Sequence, residues 1–429
     1  MKKILSATSL LLCIVMLLSL VSCAADGNPA QSGSESNTSA YTDKASESLN
    51  KDSDKPKPNT PEKKTDAPTD KPTEKPTEKE TAPVPGKTQA DKALVAKSYA
   101  FANMSTIDQS LFKFIGRVKP SSTGLIFDNS CATLEFQGFM TGEVSLNVTA
   151  KSGGYGFAYF TVYLDGVRLS ERFYVKGTNQ KITIANFTGN YFHTVKIVKQ
   201  TEFKWALSTI QSLDFKGYLI EAPAEKEYYI EFLGDSLTTA YGNIGKPGDT
   251  PDDSPKFQDG TKSYAYLFAE SVAADYSMIS RSAAGLSQCW SNSPIIDYYK
   301  AFSKDRSSEA FDTKTARKPD LIVLHLGAND YNVGGSNKTN FVTRGKELMN
   351  HLRSSYGTDV PIIWAYDPNE GFPDKVKEIM NSFGGEAKGY YTLSLGWSER
   401  GAGGHPSANE HAKQAITLAN FVKQKNLLK

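Results

Sequence analysis

Hydrophobic and polar positions divide this chain into four stretches with different rhythms. The first is one apolar run, Ile4–Val21, behind Lys2 and Lys3. The second, residues 23–94, is nearly devoid of apolar side chains, and no aromatic residue occurs between Tyr41 and Tyr99. The third, residues 95–223, carries short β-rich runs at Thr133–Phe136, Val144–Val148, Ala158–Leu164 and Thr194–Lys199. His193-Thr194-Val195-Lys196-Ile197 alternates polar and apolar, the period of a half-buried strand. Asp165-Gly166, after Phe160–Leu164, is a hairpin turn signal. Several short strands with regular turns predict an all-β sandwich of the jelly-roll kind.

The fourth stretch, residues 224–429, changes rhythm again. Tyr229–Leu233, Leu321–Leu326, Pro361–Tyr366 and Tyr390–Leu395 read as strands, and Tyr264–Ala274 and Phe341–Leu352 as helices. Leu321–Leu326 is continuously apolar, as a strand buried on both faces must be. Strand and helix in alternation predict a parallel sheet covered on both sides, an α/β/α sandwich. In such sheets a site forms at the carboxyl ends of the strands.

The two N-terminal stretches read differently. A basic start, an apolar core and Leu20-Val21-Ser22-Cys23 mark an export signal over residues 1–22. The cysteine resembles a bacterial lipobox, which implies cleavage before Cys23 and a lipid anchor on its sulfur. Residues 23–94 have too little apolar surface to offset the entropy of ordering, so they are expected to be a disordered tether. Lys71-Pro72-Thr73-Glu74 repeats at once as Lys75-Pro76-Thr77-Glu78. A coil of this length spans roughly 45 Å, and a polyproline-like one up to ~200 Å. The expected location is the extracellular face of a bacterial membrane, lipid-anchored or secreted.

Composition narrows the classes. The net charge of the 429 residues is +2, so nothing argues for nucleic acid. Cys131 and Cys289 fall in different predicted domains, which speaks against a disulfide scaffold. No Cys/His cluster has zinc spacing.

The chemistry-bearing residues sit just past strand ends. Ser236, in Gly234-Asp235-Ser236-Leu237, follows the first strand. A serine there needs a base within hydrogen-bond reach to act as nucleophile. His405 is the best base: Ser407-Ala408-Asn409-Glu410 is a capping box starting the last helix, and Pro406 stiffens the loop before it. His411 lies inside that helix, His325 in a strand as a buried, satisfied residue, His351 on a helix face and His193 in the β domain. Asn329, in Gly327-Ala328-Asn329-Asp330, could donate its amide to an oxyanion. Gly285, in Ser282-Ala283-Ala284-Gly285, lets backbone approach a substrate closely. Trp397, Trp290 and Tyr241 are candidates to line a sugar site, with core packing at least as good a reading for Trp290 and an equal one for Tyr241; Trp364 reads most simply as core.

As an ordered set these motifs resemble the SGNH (GDSL) hydrolases. That resemblance implies a flavodoxin-like parallel sheet, Ser236 and His405 as catalytic, and Ser236, Gly285 and Asn329 as the oxyanion hole. Phe114-Ile115-Gly116-Arg117, Leu164-Asp165-Gly166, His193-Thr194-Val195 and Lys199-Gln200-Thr201-Glu202 look like the N-terminal module of carbohydrate esterase family 2. The wider resemblance implies removal of acetyl groups from plant polysaccharide, often at the 6-hydroxyl, without metal; no cofactor is expected, and the chain is expected to be a monomer. One position departs from the SGNH pattern. The family aspartate three residues before the histidine is Ala402 here, and the nearest upstream carboxylate is Glu399. Some family-2 esterases work as a Ser–His dyad with a backbone carbonyl on the ring, and that arrangement is expected; Glu399 folding back is the rival. Two other functions stay open at this point: a carbohydrate-binding surface lipoprotein with a vestigial site, and an esterase acting on peptidoglycan or another acyl ester.

Overall fold

The computed structural model describes residues 82–151, 155–287, 290, 294–302, 309–334 and 338–429. The expected signal segment, Cys23, the Lys-Pro-Thr-Glu repeats and Cys289 lie outside the described residues.

The β domain is one sheet of nine strands. Its spine is Thr133–Lys151, antiparallel to Phe173–Lys199 on one side and to Leu207–Ile220 on the other. The runs at 133–136 and 144–148 are therefore one strand. Register shifts between Met140 and Gly142 and between Val144 and Ser145 bend it, as inserted residues do. Phe157–Leu164 meets both ends of the curved Phe173–Lys199 strand, pairing with 173–176 and with 195–199. Phe127, Phe136, Phe160, Val162 and Ile197 fill the interior. The Asp165-Gly166 turn has left-handed φ at both residues, +54° and +81°, with Leu164 opposite Val167. Structure begins before residue 95: Gly86 N–H donates to Phe192 O (2.8 Å), and Leu94 packs on Phe139 and Phe192. The last dozen residues of the expected tether gain this support from backbone pairing, which their composition does not reveal.

Residues 228–429 form the α/β part. Five parallel strands lie in the order Ala274–Ser280, Tyr228–Gly234, Leu321–His325, Ile362–Tyr366, Tyr390–Ser394. Numbered by chain position this is 2-1-3-4-5, the flavodoxin-like order, whose switch point lies between the first and third strands. Ser263 and Ser407 cap the Tyr264–Ser271 and Ala408–Lys425 helices, accepting from Tyr266 N–H (3.0 Å) and Glu410 N–H (3.2 Å). Half of the expected capping box forms. The Glu410 carboxylate reaches Ser398 N–H at 3.2 Å instead of its own cap, and so ties down the 398 loop.

The two domains share a core. Ile115, Cys131 and Val198 from the β domain pack in one apolar cluster with Ile230, Phe232 and Tyr276. Polar links cross the same seam: Thr133 Oγ1 to Tyr276 OH (2.9 Å), Arg168 to Asp259 (2.8 Å), and Lys113 to Asp275 (2.8 Å).

Candidate active site

The Tyr228–Gly234 strand ends where its backbone must pass Thr238. A Cβ on Gly234 would lie 1.9 Å from Thr238 Oγ1, so close approach, rather than a left-handed turn, requires the glycine. Asp235 then caps a single helical turn, Ser236–Thr239, by accepting from Leu237 N–H (2.9 Å). One turn carries little macrodipole. The useful consequence is placement: Ser236 stands at the switch point of the sheet.

His405 arrives from the far end of the chain. Its Nε2 lies 2.8 Å from Ser236 Oγ. Its Nδ1 lies 3.1 Å from Gly403 O. A carbonyl can only accept, so Nδ1 carries the proton and Nε2 is left free to take one from the serine. Glu399 does not reach the ring; its carboxylate accepts from Asn409 Nδ2 at 3.1 Å. Ala402 is fully buried with its Cβ against the Gly242 and Gly245 backbone. Burial holds His405 below the ordinary imidazole value, partly opposed by the Gly403 carbonyl. The residue is thus neutral, as a base must be, at neutral pH.

Asn329 follows the Leu321–His325 strand, next to Ser236 across the switch point. Its Nδ2 donates to Ala284 O (2.8 Å) and, at longer range, to Asp235 Oδ2 (3.3 Å). Asp235 is wholly buried, and burial pushes its carboxyl up to about 7. Asp330 secures the neighbouring loop by accepting from Leu286 N–H (2.8 Å) and Ser287 N–H (2.7 Å).

These side chains surround a cavity of about 590 Å³, lined by Ser236, Ala283, Asn329, Trp397 and His405 among others. Gly285 is placed differently from its expected role: it is buried behind this wall, and its carbonyl accepts from Ile295 N–H (2.9 Å). Ala283, two residues earlier, lines the cavity with φ +68°. The glycine drew attention because it lets backbone approach a substrate closely, but here an alanine in left-handed backbone takes the place on the wall. Trp290 is 65% exposed and lines the cavity, which sets aside the core-packing alternative. Tyr241 also lines it, but the ring is buried edge-on to His405, and its hydroxyl is held by Lys204 Nζ (2.7 Å) and Asp252 Oδ1 (2.6 Å). Trp364 is core, as expected. His325 is buried, but neither ring nitrogen has a partner among the described residues. A larger depression of about 680 Å³ lies near Tyr228, Lys318 and Lys429 and is lined by neither serine nor histidine.

The wall has a contributor that sequence reasoning missed. Lys204, from the β domain, lines the cavity. Only the fold brings it there; no local signal marks it.

A buried serine hydroxyl beside an imidazole, at the carboxyl edge of a 2-1-3-4-5 sheet, is the arrangement of an SGNH-type hydrolase domain. Residues 114–223 match the carbohydrate esterase 2 N-terminal family, and residues 230–382 match the GDSL-like lipase/acylhydrolase family. The chain thus has both domains of the family two carbohydrate esterases and belongs with them. It is 30% identical over 323 residues to the cellulase/esterase CelE of Acetivibrio thermocellus, covering 71% of this chain and 38% of that protein. It is 21% identical to an acetylxylan esterase/glucomannan deacetylase of Cellvibrio japonicus, over 57% of this chain and 70% of that protein. The solved family two carbohydrate esterase from Clostridium thermocellum, in complex with cellohexaose, is similar at 28% identity and TM-score 0.67, over 74% of this chain and 100% of that one. The chain spans well under half the length of CelE.

Proposed function

We propose that this protein is a carbohydrate O-acetylesterase acting on plant cell-wall polysaccharide of the xylan or mannan type, with the 6-O-acetyl group as its target. The observation that carries the reading is the Ser236 Oγ–His405 Nε2 contact of 2.8 Å with Gly403 O behind the ring. Ser236 Oγ attacks the acetyl carbon while His405 Nε2 takes its proton. The oxyanion is met by Ser236 N–H, Ala283 N–H and the Asn329 amide, whose long contact to Asp235 is the one it can share. The tetrahedral species collapses, and His405 returns the proton to the departing sugar hydroxyl. Water, deprotonated by the same imidazole, then releases acetate. Trp397 and Trp290 offer ring faces to the sugar at the cavity mouth, and Tyr241 braces His405. The names of the relatives support the substrate class. The location proposed is outside the cell membrane, held by lipid on Cys23.

The test is acetate release from acetylated xylan, glucomannan and peptidoglycan, alongside turnover of an aryl acetate. Ser236→Ala is expected to abolish turnover while the protein stays folded. Undiminished turnover in that variant would remove the mechanism, and release from peptidoglycan alone would remove the substrate class.

A further inference from the structure

Glu202 belongs to the β domain, yet its carboxylate sits wholly buried inside the α/β part. Oε2 accepts from Ser282 N–H at 2.7 Å. Oε1 accepts from Ser282 Oγ–H and lies 3.4 Å from Thr239 Oγ1. Its own N–H donates to Gln258 Oε1 at 3.3 Å. One carboxylate therefore ties the loop after the Ala274–Ser280 strand to the turn that carries Ser236. Buried carboxylates are costly unless satisfied. This one receives short bonds from a single residue of the other domain, with the fully buried Lys199 cation nearby.

The residue next to Ser282 is Ala283, whose φ of +68° costs an alanine about 1–2 kcal/mol. Such a conformation persists only where the surroundings over-determine it. Here Glu202 grips the loop at 282 and Asp330 grips it at 286 and 287. The Ala283 N–H has no partner among the described residues, and the residue lines the cavity beside Ser236.

We infer that Glu202 is a positioning residue for catalysis: the β domain holds the Ala283 N–H in place as an oxyanion donor. This inference rests on the esterase reading above. It gives the β domain a part in the chemical step beyond packing.

Glu202→Gln keeps the shape but replaces one acceptor oxygen with a donor facing Ser282. Removing an oxyanion donor outright costs about 10²–10³ in kcat. Loosening one is expected to lower kcat by ~10- to 100-fold, with KM within about threefold. Phenylboronic acid, which adds to Ser236 as a tetrahedral adduct, should weaken by a similar factor, while acetate should bind as before. Ser282→Ala removes only the Oγ bond and should lower kcat by less, with the same pattern; it serves if Glu202→Gln does not fold. Wild-type kcat in both folded variants would overturn the inference. So would kcat, KM and acetate binding all worsening together with the unfolding midpoint, since that is what a merely structural residue would do. If wild type itself has no Ser236-dependent turnover, the esterase reading has failed, and that result is distinct from an active enzyme indifferent to Glu202.

Discussion

Gly403 offers the sharpest test of how His405 is held. Its carbonyl is the sole group on Nδ1 among the described residues, and it reaches there because Gly403 adopts φ +61°, ψ 24°. In Gly403→Ala, the left-handed conformation costs about 1–2 kcal/mol. The new Cβ would also lie 2.7 Å from Pro251 Cγ. Both strains are relieved by a backbone shift that carries the carbonyl away from Nδ1. A neutral hydrogen bond is worth about 0.5–1.5 kcal/mol. At about 1.4 kcal/mol per decade, kcat should fall ~2- to 13-fold. That is far below the ~10⁴ lost when a triad aspartate becomes asparagine, because that change forces the imidazole into the wrong tautomer whereas losing the carbonyl only removes a preference. The sign of the pH effect follows as well. The carbonyl raises the His405 pKa, so losing it lowers that pKa, and the acid limb of kcat/KM should move to lower pH. The assay is p-nitrophenyl acetate hydrolysis across the acid range, with folding checked by circular dichroism. A folded variant with wild-type kcat, or a limb that moves upward, would refute the carbonyl's role.

Three further outcomes are expected. Ala402→Asp should not restore a triad: the site is closed by Gly242 and Gly245, so the carboxylate is buried without donors, and stability should fall by about 1–3 kcal/mol from overpacking alone, with no gain in kcat by the same aryl-acetate assay. His325 is held neutral by burial with a pKa of about 4, while in the unfolded chain it would titrate near 6.5. Between those values only the unfolded state takes up the proton, so stability should fall with falling pH by about 1.4 kcal/mol per unit from this residue. Asp235, raised to about 7, acts in the opposite direction, so the diagnostic is the difference between wild type and His325→Asn in urea unfolding; equal slopes would discount the effect. Cys23→Ser should abolish incorporation of labelled palmitate and free the protein from the membrane fraction; unchanged fractionation would remove the lipid anchor.

Much of this architecture was legible in the chain, for identifiable reasons. Parallel strands buried on both faces must be apolar throughout, so Leu321–His325 and Ile362–Tyr366 announced themselves. Leu207–Ile220 did not, because its polar residues interrupt the pattern while its partners lie on distant strands. Ile295–Lys300 was missed because fewer than two turns give little periodicity to read; Pro373–Ser382 was missed although Val376, Ile379 and Met380 carry a helical spacing that could have found it. Ser236, His405 and Asn329 could be found because each follows a strand at the same edge. Glu202 and Lys204 could not, since their proximity to the cavity is created wholly by the way one domain lies on the other. Trp290 stayed open between packing and the sugar site because exposure is a property of the fold and leaves no mark on a single residue.

The apolar cluster joining Ile115, Cys131 and Val198 to Ile230, Phe232 and Tyr276 means that the chain has no natural cutting point near residue 225. Splitting it there would expose freshly wetted hydrocarbon on both halves. Engineers who wish to graft new specificity onto this scaffold must therefore exchange the pair as a unit, or repack both newly bared faces to free either half.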